Sequence, residues 1–295
     1  MEKEFIKLIK STLNSEYIGD DCAYLRDLGI VISQDSLVED VHFLRDKITP
    51  YSLGRKTAAV NISDICASGA EPAYMTVSLS LPAHTEKSFI KEFYKGLNSV
   101  YKSLKIVGGD LTKADKIYIS ASIIGKTKGR NISSRKNANI GQKVVISGYH
   151  GSSATGLMLL KSGKTSPENL IKAHLEPEPQ TEFSIKIASS QKSPYAMIDT
   201  SDGLMDGLSQ IAEQSGVLLD INFSKIPIEK EVKEFENWEE RVLFGGEDYG
   251  LIATVDKPTK DMTVIGEVKK GSGVFIKNRL FSAKDVENMS YKHFT

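Results

Sequence analysis

The sequence predicts a mixed α and β protein in two parts. Three observations carry this. Short apolar segments of strand character alternate with stretches of helical period, aspartates recur beside small residues where those segments end, and no fixed-period repeat or low-complexity tract interrupts the alternation. At 295 residues the chain has the length of roughly two domains of about 150 residues, and 40% hydrophobic residues supply a core for them.

In order, residues 3–13 (KEFIKLIKSTL) carry apolar side chains at helical spacing, and IVISQ (30–34) reads as a strand. Small residues dominate the helix predicted over 51–67. The near alternation of AYMTVSLSLP (73–82) predicts a strand, and Phe89, Phe93, Leu97, Val100 and Leu104 form one stripe of a helix over 85–104. A strand over 116–125 closes this half. The segment 126–142 bears Lys126, Lys128, Arg130, Arg135 and Lys136 without an acid and reads as a linker or a phosphate-facing loop. Beyond it come the strand KVVISG, a glycine-rich turn into a helix over 151–163, a helix over 178–190, the segment AMIDTSDGL, a helix to about 215, the strand VLLDINF and a strand-rich tail from 248.

Lys plus Arg total 38 and Asp plus Glu total 38, so no basic excess exists to hold a nucleic acid or an anionic membrane. No apolar stretch has the length of a signal peptide or a membrane span, which points to the cytoplasm. Cys22 and Cys66 lack metal-site or disulfide-frame spacing and are expected as reduced, buried thiols.

The acids hold the chemistry. Asp20 and Asp21 are adjacent in IGDDCAYL, Asp35 is expected to end a strand in VISQDS, and Asp64 lies in NISDICASG. Asp110 ends KIVGGD, Asp199 and Asp202 lie in MIDTSDGL, and Glu247 and Asp248 follow the glycines of FGGEDYG. Turn chemistry accounts for any one of them. Taken together, and with Ser33, Ser36 and Ser201 close in sequence, they form a set of hard oxygen donors suited to Mg²⁺ and thus to nucleotide phosphate chemistry. SGKT (162–165) does not complete a P-loop, because Met158 stands where that motif needs glycine.

In their order and spacing, GDDCA, ISQDSLVEDVHF, NISDICASGAEP, VGGDLT, MIDTSDGL and FGGEDYGL resemble the thiamine-monophosphate kinase family from about residue 18 to the terminal YKHF. The resemblance implies the two-domain fold shared with aminoimidazole ribonucleotide synthetase (PurM-like), the N-terminal sheets pairing across a homodimer. It implies ATP as co-substrate, several Mg²⁺ ions and thiamine monophosphate as phosphate acceptor. Carried over by motif, Asp20, Ser33, Asp35, Asp64, Asp110, Asp199 and Asp202 are implied metal ligands. Gly109, Asp110, Arg135 and Ser201 are implied ATP contacts, and His42, Glu247 and Tyr291 implied acceptor contacts. No covalent nucleophile is expected. The expected domains are 1–137, for Mg-ATP binding and dimerisation, and 138–295, completing the site. Two departures stand out: Gln34 where the family usually has threonine, and Gly250 where GGEDYE is commoner. The rivals are another ATP-using synthetase of the same fold and a non-catalytic protein that binds thiamine phosphate or nucleotide.

Overall fold

The structure is a computed structural model and describes residues 2–290. Its elements are α1 (Glu2–Leu13), β1 (Ala23–Leu25), β2 (Ile30–Val38), α2 (Pro50–Ser68), β3 (Glu71–Leu81), α3 (Lys87–Ser99), β4 (Lys105–Lys113) and β5 (Tyr118–Lys126), followed by β6 (Lys143–Ile146), α4 (Ser152–Lys161), α5 (Glu168–Leu175) and α6 (Thr181–Ser190). Then come β7 (Met197–Asp199), α7 (Leu204–Ser215), β8 (Leu218–Ile221), α8 (Trp238–Phe244), β9 (Leu251–Val255), β10 (Thr263–Lys269), β11 (Gly273–Ile276), β12 (Arg279–Phe281) and α9 (Ala283–Met289).

The strands form two sheets, a five-stranded one in the order β1-β2-β5-β3-β4 and a seven-stranded one in the order β12-β11-β8-β10-β6-β9-β7. Only β3–β4 and β8–β11 are parallel pairs among the described strands. In the first sheet the pleat sorts side chains cleanly. Val31, Leu37, Val77, Leu79, Ile119 and Ile123 are buried on one face, against α2. The other face is a lattice of hydroxyls and amides: Gln34 Nε2 donates to Ser120 Oγ at 3.1 Å, Ser122 Oγ donates to Gln34 Oε1 at 2.8 Å, and Ser80 and Thr112 hydroxyls meet at 2.7 Å. In the second sheet β6, β7 and β9 are almost wholly buried because both their faces are covered, with Lys143, Asp199 and Thr254 as their polar members. Val145, Met197, Leu251 and Ala253 join the core around α2, whereas Val144, Ile146, Ile198 and Ile252 join the core under α7 and α8.

Helix α2 lies between these layers and is buried on nearly every side. Thr49 caps it, accepting from Ser52 N at 3.0 Å, Pro50 occupies its first turn, and Gly69 ends it in the left-handed region at φ 83°. Its crossing with α3 is glycine to glycine. A Cβ on Gly54 would stand 1.9 Å from Phe93 O, and one on Gly96 would stand 1.9 Å from Tyr51 O, so the two backbones touch.

Several boundaries differ from expectation. The strand expected to stop at 34 runs to Val38, because β5 pairs with it residue by residue from Ile30 to Val38, so Asp35 stands within a strand instead of ending one. The helix expected to reach 104 stops at Ser99. Segment 126–142 is no free linker: Lys126 finishes β5 and Arg135–Asn137 form a 3₁₀ turn against α7. Strands β1 and β4 and helices α5, α8 and α9 extend the expected set. Cys22 and Cys66 are free and buried, as expected, and burial pushes both thiols up. No described helix is long and apolar enough to cross a membrane.

Candidate active site

Four aspartates, from α2, β2, β7 and the loop before β1, converge where α2 meets β2 and β7. Asp64, on α2, takes the Ser33 hydroxyl from β2. Asp199, at the end of β7, accepts from Ser63 Oγ and Ser201 Oγ, both at 2.7 Å. Asp21 meets Arg135 in a two-pronged contact, Nη2 to Oδ1 at 2.7 Å and Nε to Oδ2 at 3.3 Å. One oxygen each of Asp21, Asp64 and Asp199 lies within 4.8 Å of the others. Asp35 projects from β2 beside them, its backbone N–H donating to Asn61 Oδ1 at 3.3 Å.

The cluster is electrostatically uncomfortable. Burial raises the Asp35 carboxyl to about 7, with Asp199 and Asp202 adding repulsion. Burial likewise raises Asp21 to about 6, despite the Arg135 guanidinium pulling it down. Asp64 is pushed well up by burial and then by Asp35 and Asp199, and Asp199 is raised by burial against the lowering hydrogen bonds of Ser201 and Ser63. Carboxylates held this close, in so little water, suit a hard divalent cation with oxygen ligands, and the donor set contains no softer atom.

Asp35 and Asp64 also line a cavity of about 340 Å³ together with His42, Ser201, Asp202 and Glu247. His42 Nδ1 accepts from Val38 N at 3.0 Å, so the proton of its neutral ring sits on Nε2. Glu247 adopts φ 65°, a left-handed backbone that glutamate seldom takes, and its N–H donates to Ser201 O at 2.7 Å. Its carboxylate meets the buried ammonium of Lys56 at 3.1 Å and His174 Nδ1 at 3.3 Å. Burial, then Lys56, lower the His174 imidazole to about 4, keeping it neutral at physiological pH. Asp248 turns the other way and caps α4, accepting from Gly151 N at 2.6 Å and Ser153 N at 2.8 Å.

The expected site residues are thus partly assembled. Ser33, Asp35, Asp64, Asp199, Ser201, Asp202, His42 and Glu247 surround one continuous region. Asp20 stands next to it but is engaged otherwise, accepting from Ser134 Oγ at 2.7 Å and Arg135 N at 2.8 Å. It is its neighbour Asp21 that joins the trio. Gly109 and Asp110 lie on the edge strand β4, where Asp110 pairs with Ser78 and so stands on the hydroxyl face, opposite to the cluster. Tyr291 lies outside the described residues. Asp21, Lys56 and His174 were not among the expected site residues. For Lys56 the sequence holds no sharper signal than its place beside Arg55 at the head of a run of small and apolar residues. The departures also have structural accounts. Gln34 is spent on the hydroxyl lattice. A Cβ on Gly250 would stand 2.5 Å from Ser147 O and 2.9 Å from His150 Cε1, so the buried His150 ring leaves no room for a longer residue.

Comparison with known proteins agrees with this geometry. Residues 19–127 match the family described as AIR synthase related protein, N-terminal domain. The thiamine-monophosphate kinase of Aquifex aeolicus is 38% identical over 98% of this chain and 96% of its own length, and that of Buchnera aphidicola subsp. Schizaphis graminum is 40% identical over 81% of this chain and 76% of its own. The solved structure of AaThiL complexed with AMPPCP and TMP superimposes with a TM-score of 0.88 at 36% identity, covering 98% of this chain and 96% of that one. An identity spread over essentially the whole length, on the same fold, leaves one assignment: the chain belongs to the thiamine-monophosphate kinase family.

Proposed function

We propose that this protein transfers the γ-phosphoryl group of ATP to thiamine monophosphate, giving thiamine diphosphate. The observation that carries this reading is the junction of two dissimilar sites: Asp35 and Asp64 belong both to the aspartate cluster and to the wall of the cavity that holds His42 and Glu247. A kinase acting on a phosphate needs this juxtaposition, since two polyanions must meet beside a recognisable organic group.

Asp21, Asp35, Asp64, Asp199 and Asp202, with Ser33, are the residues that would hold Mg²⁺; when bound, the metal supplies the positive charge that lets the donor and acceptor phosphates approach. The protein's own groups do the rest. Arg135 and Ser201 are assigned to ATP. The Arg135 fork is already oriented by Asp21 and by Gln210, whose Oε1 accepts from Nη1 at 2.6 Å. His42 and Glu247 are assigned to the acceptor, His42 presenting an Nε2 donor and Glu247 a fixed carboxylate. The acceptor phosphate is ionised at neutral pH and serves as the nucleophile, so no side chain need act as a covalent nucleophile or strong base. Tyr291 is assigned to the same acceptor by motif.

Gly109 and Asp110 retain their assignment to ATP and metal through a homodimer. The exposed Val107, Leu111 and Tyr118 and the open edge of β4 support a second copy there. The domain division at 137/138 is supported by the distribution of strands, those of one sheet preceding it and those of the other following. The free, buried cysteines favour the cytoplasm. Incubation with ATP, Mg²⁺ and thiamine monophosphate should yield ADP and thiamine diphosphate in equal amounts. ADP release independent of thiamine monophosphate would overturn the acceptor.

A further inference from the structure

A buried lysine is an expensive choice. An unpaired ammonium in such surroundings costs several kcal/mol, and a methionine would fill the same volume without that cost. Lys56 is nonetheless 1% exposed, in the middle of α2. Its Nζ has two partners there, Glu247 Oε1 at 3.1 Å and the His42 carbonyl oxygen at 3.1 Å. Those partners come from loops far apart in sequence, and both residues line the same cavity. Lys56 itself is not part of the cavity wall.

The arrangement around Glu247 shows what the ammonium does. The two carboxylate oxygens are flanked from different sides, Oε1 by the Lys56 ammonium and Oε2 at 3.3 Å from His174 Nδ1, whose own hydrogen bond is to Ser153 Oγ at 3.0 Å. Its backbone sits at φ 65°, a conformation that persists only where neighbours enforce it. On the other side, the Lys56 contact fixes the main chain of His42, and Val38 N–H fixes its ring through Nδ1. Lys56, Val60 and Asp64 follow one another at intervals of four along one face of α2, and Val60 and Asp64 reach the cavity. At 1.5 Å of rise per residue, Lys56 and Asp64 stand about 12 Å apart along the helix. One rigid element therefore sets the acceptor groups at a fixed distance from the aspartates.

We propose that Lys56 is a positioning residue for the acceptor substrate: it ties Glu247 to the His42 main chain, so that the two sides of the acceptor cavity are assembled before thiamine monophosphate arrives. This rests on the reading of His42 and Glu247 as acceptor-binding residues. Stability alone gives no reason for the pair, because a buried ion pair contributes little more than an apolar substitute of the same size. Pre-organisation does, because ordering the two loops on binding would weaken affinity for the acceptor but not for ATP.

The test compares the full-length wild-type protein with Lys56→Met, Lys56→Arg, Glu247→Gln and the Lys56→Met/Glu247→Gln pair. Steady-state KM is measured for each substrate, and thiamine monophosphate binding by calorimetry without turnover. Lys56→Met should raise KM and Kd for thiamine monophosphate by about 10- to 50-fold and alter KM for ATP by less than about twofold, with Lys56→Arg recovering to within about fivefold of wild type. The double variant should bind the acceptor no more than about threefold worse than Glu247→Gln alone, since Lys56 acts largely through that carboxylate. If Lys56→Met does not fold, Lys56→Arg and the double variant, which leaves no ammonium buried without its carboxylate, still decide the matter. Multiplying losses in the double variant would overturn the proposal. Normal acceptor binding in Lys56→Met beside weakened binding in Glu247→Gln would overturn it while leaving the acceptor site in place. Normal binding in both would overturn the two together, and equal losses for ATP and acceptor would reduce Lys56 to a packing role.

Discussion

The aspartate cluster and the cavity beside Glu247 share a wall but are built on opposite electrostatic plans. Around Glu247 each charge has its counterpart: carboxylate against ammonium, the second oxygen against a neutral imidazole, the ammonium also against a carbonyl. Around Asp64 the neighbours are further acids, Asp35, Asp199 and Asp21, and the cation that reaches the group, Arg135, touches Asp21 at its margin. The charges of the first region are balanced by the protein's own groups. The second is held by the surrounding fold in a state that ions of opposite sign would relieve. A site that must select an organic group benefits from rigidity, and one that must gather phosphates benefits from an unmet demand for cations.

Removing a charge from the uncompensated region should produce the largest effect. Asp64→Asn should lower kcat by at least about 100-fold while raising the Tm of the metal-free protein, because it relieves repulsion as it deletes a ligand. Steady-state kinetics and thermal unfolding check both halves. A less stable variant with normal turnover would erase the contrast between the regions.

A finer test asks which member of the adjacent pair belongs to the cluster. Asp21→Asn should weaken Mg²⁺ binding by about tenfold or more, and Asp20→Asn, which loses contacts to Ser134 and the Arg135 backbone, by less than about threefold. Titration calorimetry with Mg²⁺ alone measures each, and the reverse order would return Asp20 to the cluster in place of Asp21.

The mildest effect should be the coupling to pH. Asp35 at about 7 and Asp21 at about 6 lie above the ordinary aspartate value of 3.8, so in the metal-free fold both are stabilising while protonated. That stability is fully present below pH 3.8 and is lost as pH rises through 6 to 7. Mg²⁺ competes with those protons, so the Tm gain it confers should grow between about pH 5.5 and 7.5, and binding should release protons. A Tm gain that shrinks with rising pH would mean these acids are not the ligands.

What the sequence discloses about the two regions differs for the same physical reason. The aspartates announce themselves individually, since acids beside glycines and small residues are visible in one dimension. Which of Asp20 and Asp21 faces inward depends on Arg135 and Ser134, more than a hundred residues away, and no local pattern encodes it. The length of β2 was hidden in the same way, being fixed by its pairing with β5. The charge pairs around Glu247 are less legible still. Lys56 and Glu247 are unremarkable residues until the fold brings them to 3.1 Å, and the left-handed backbone at Glu247 runs against glutamate's own preference. Asp110, conspicuous after its two glycines, faces away from the cluster within one chain.

The glycine crossing of α2 and α3 has a consequence for how such a protein can drift or be redesigned. Lys56 is two residues from Gly54, some 200° around the helix at about 100° per residue, so the touching backbones lie nearly behind Lys56. Even a methyl group at position 54 or 96 would force α2 towards the site. Both positions should therefore behave in a saturation library like ligand residues, intolerant of nearly every replacement, although neither glycine touches the cavity. Scoring such a library by activity alone would mark them as part of the chemistry; scoring it also by abundance would separate the support from the groups it carries.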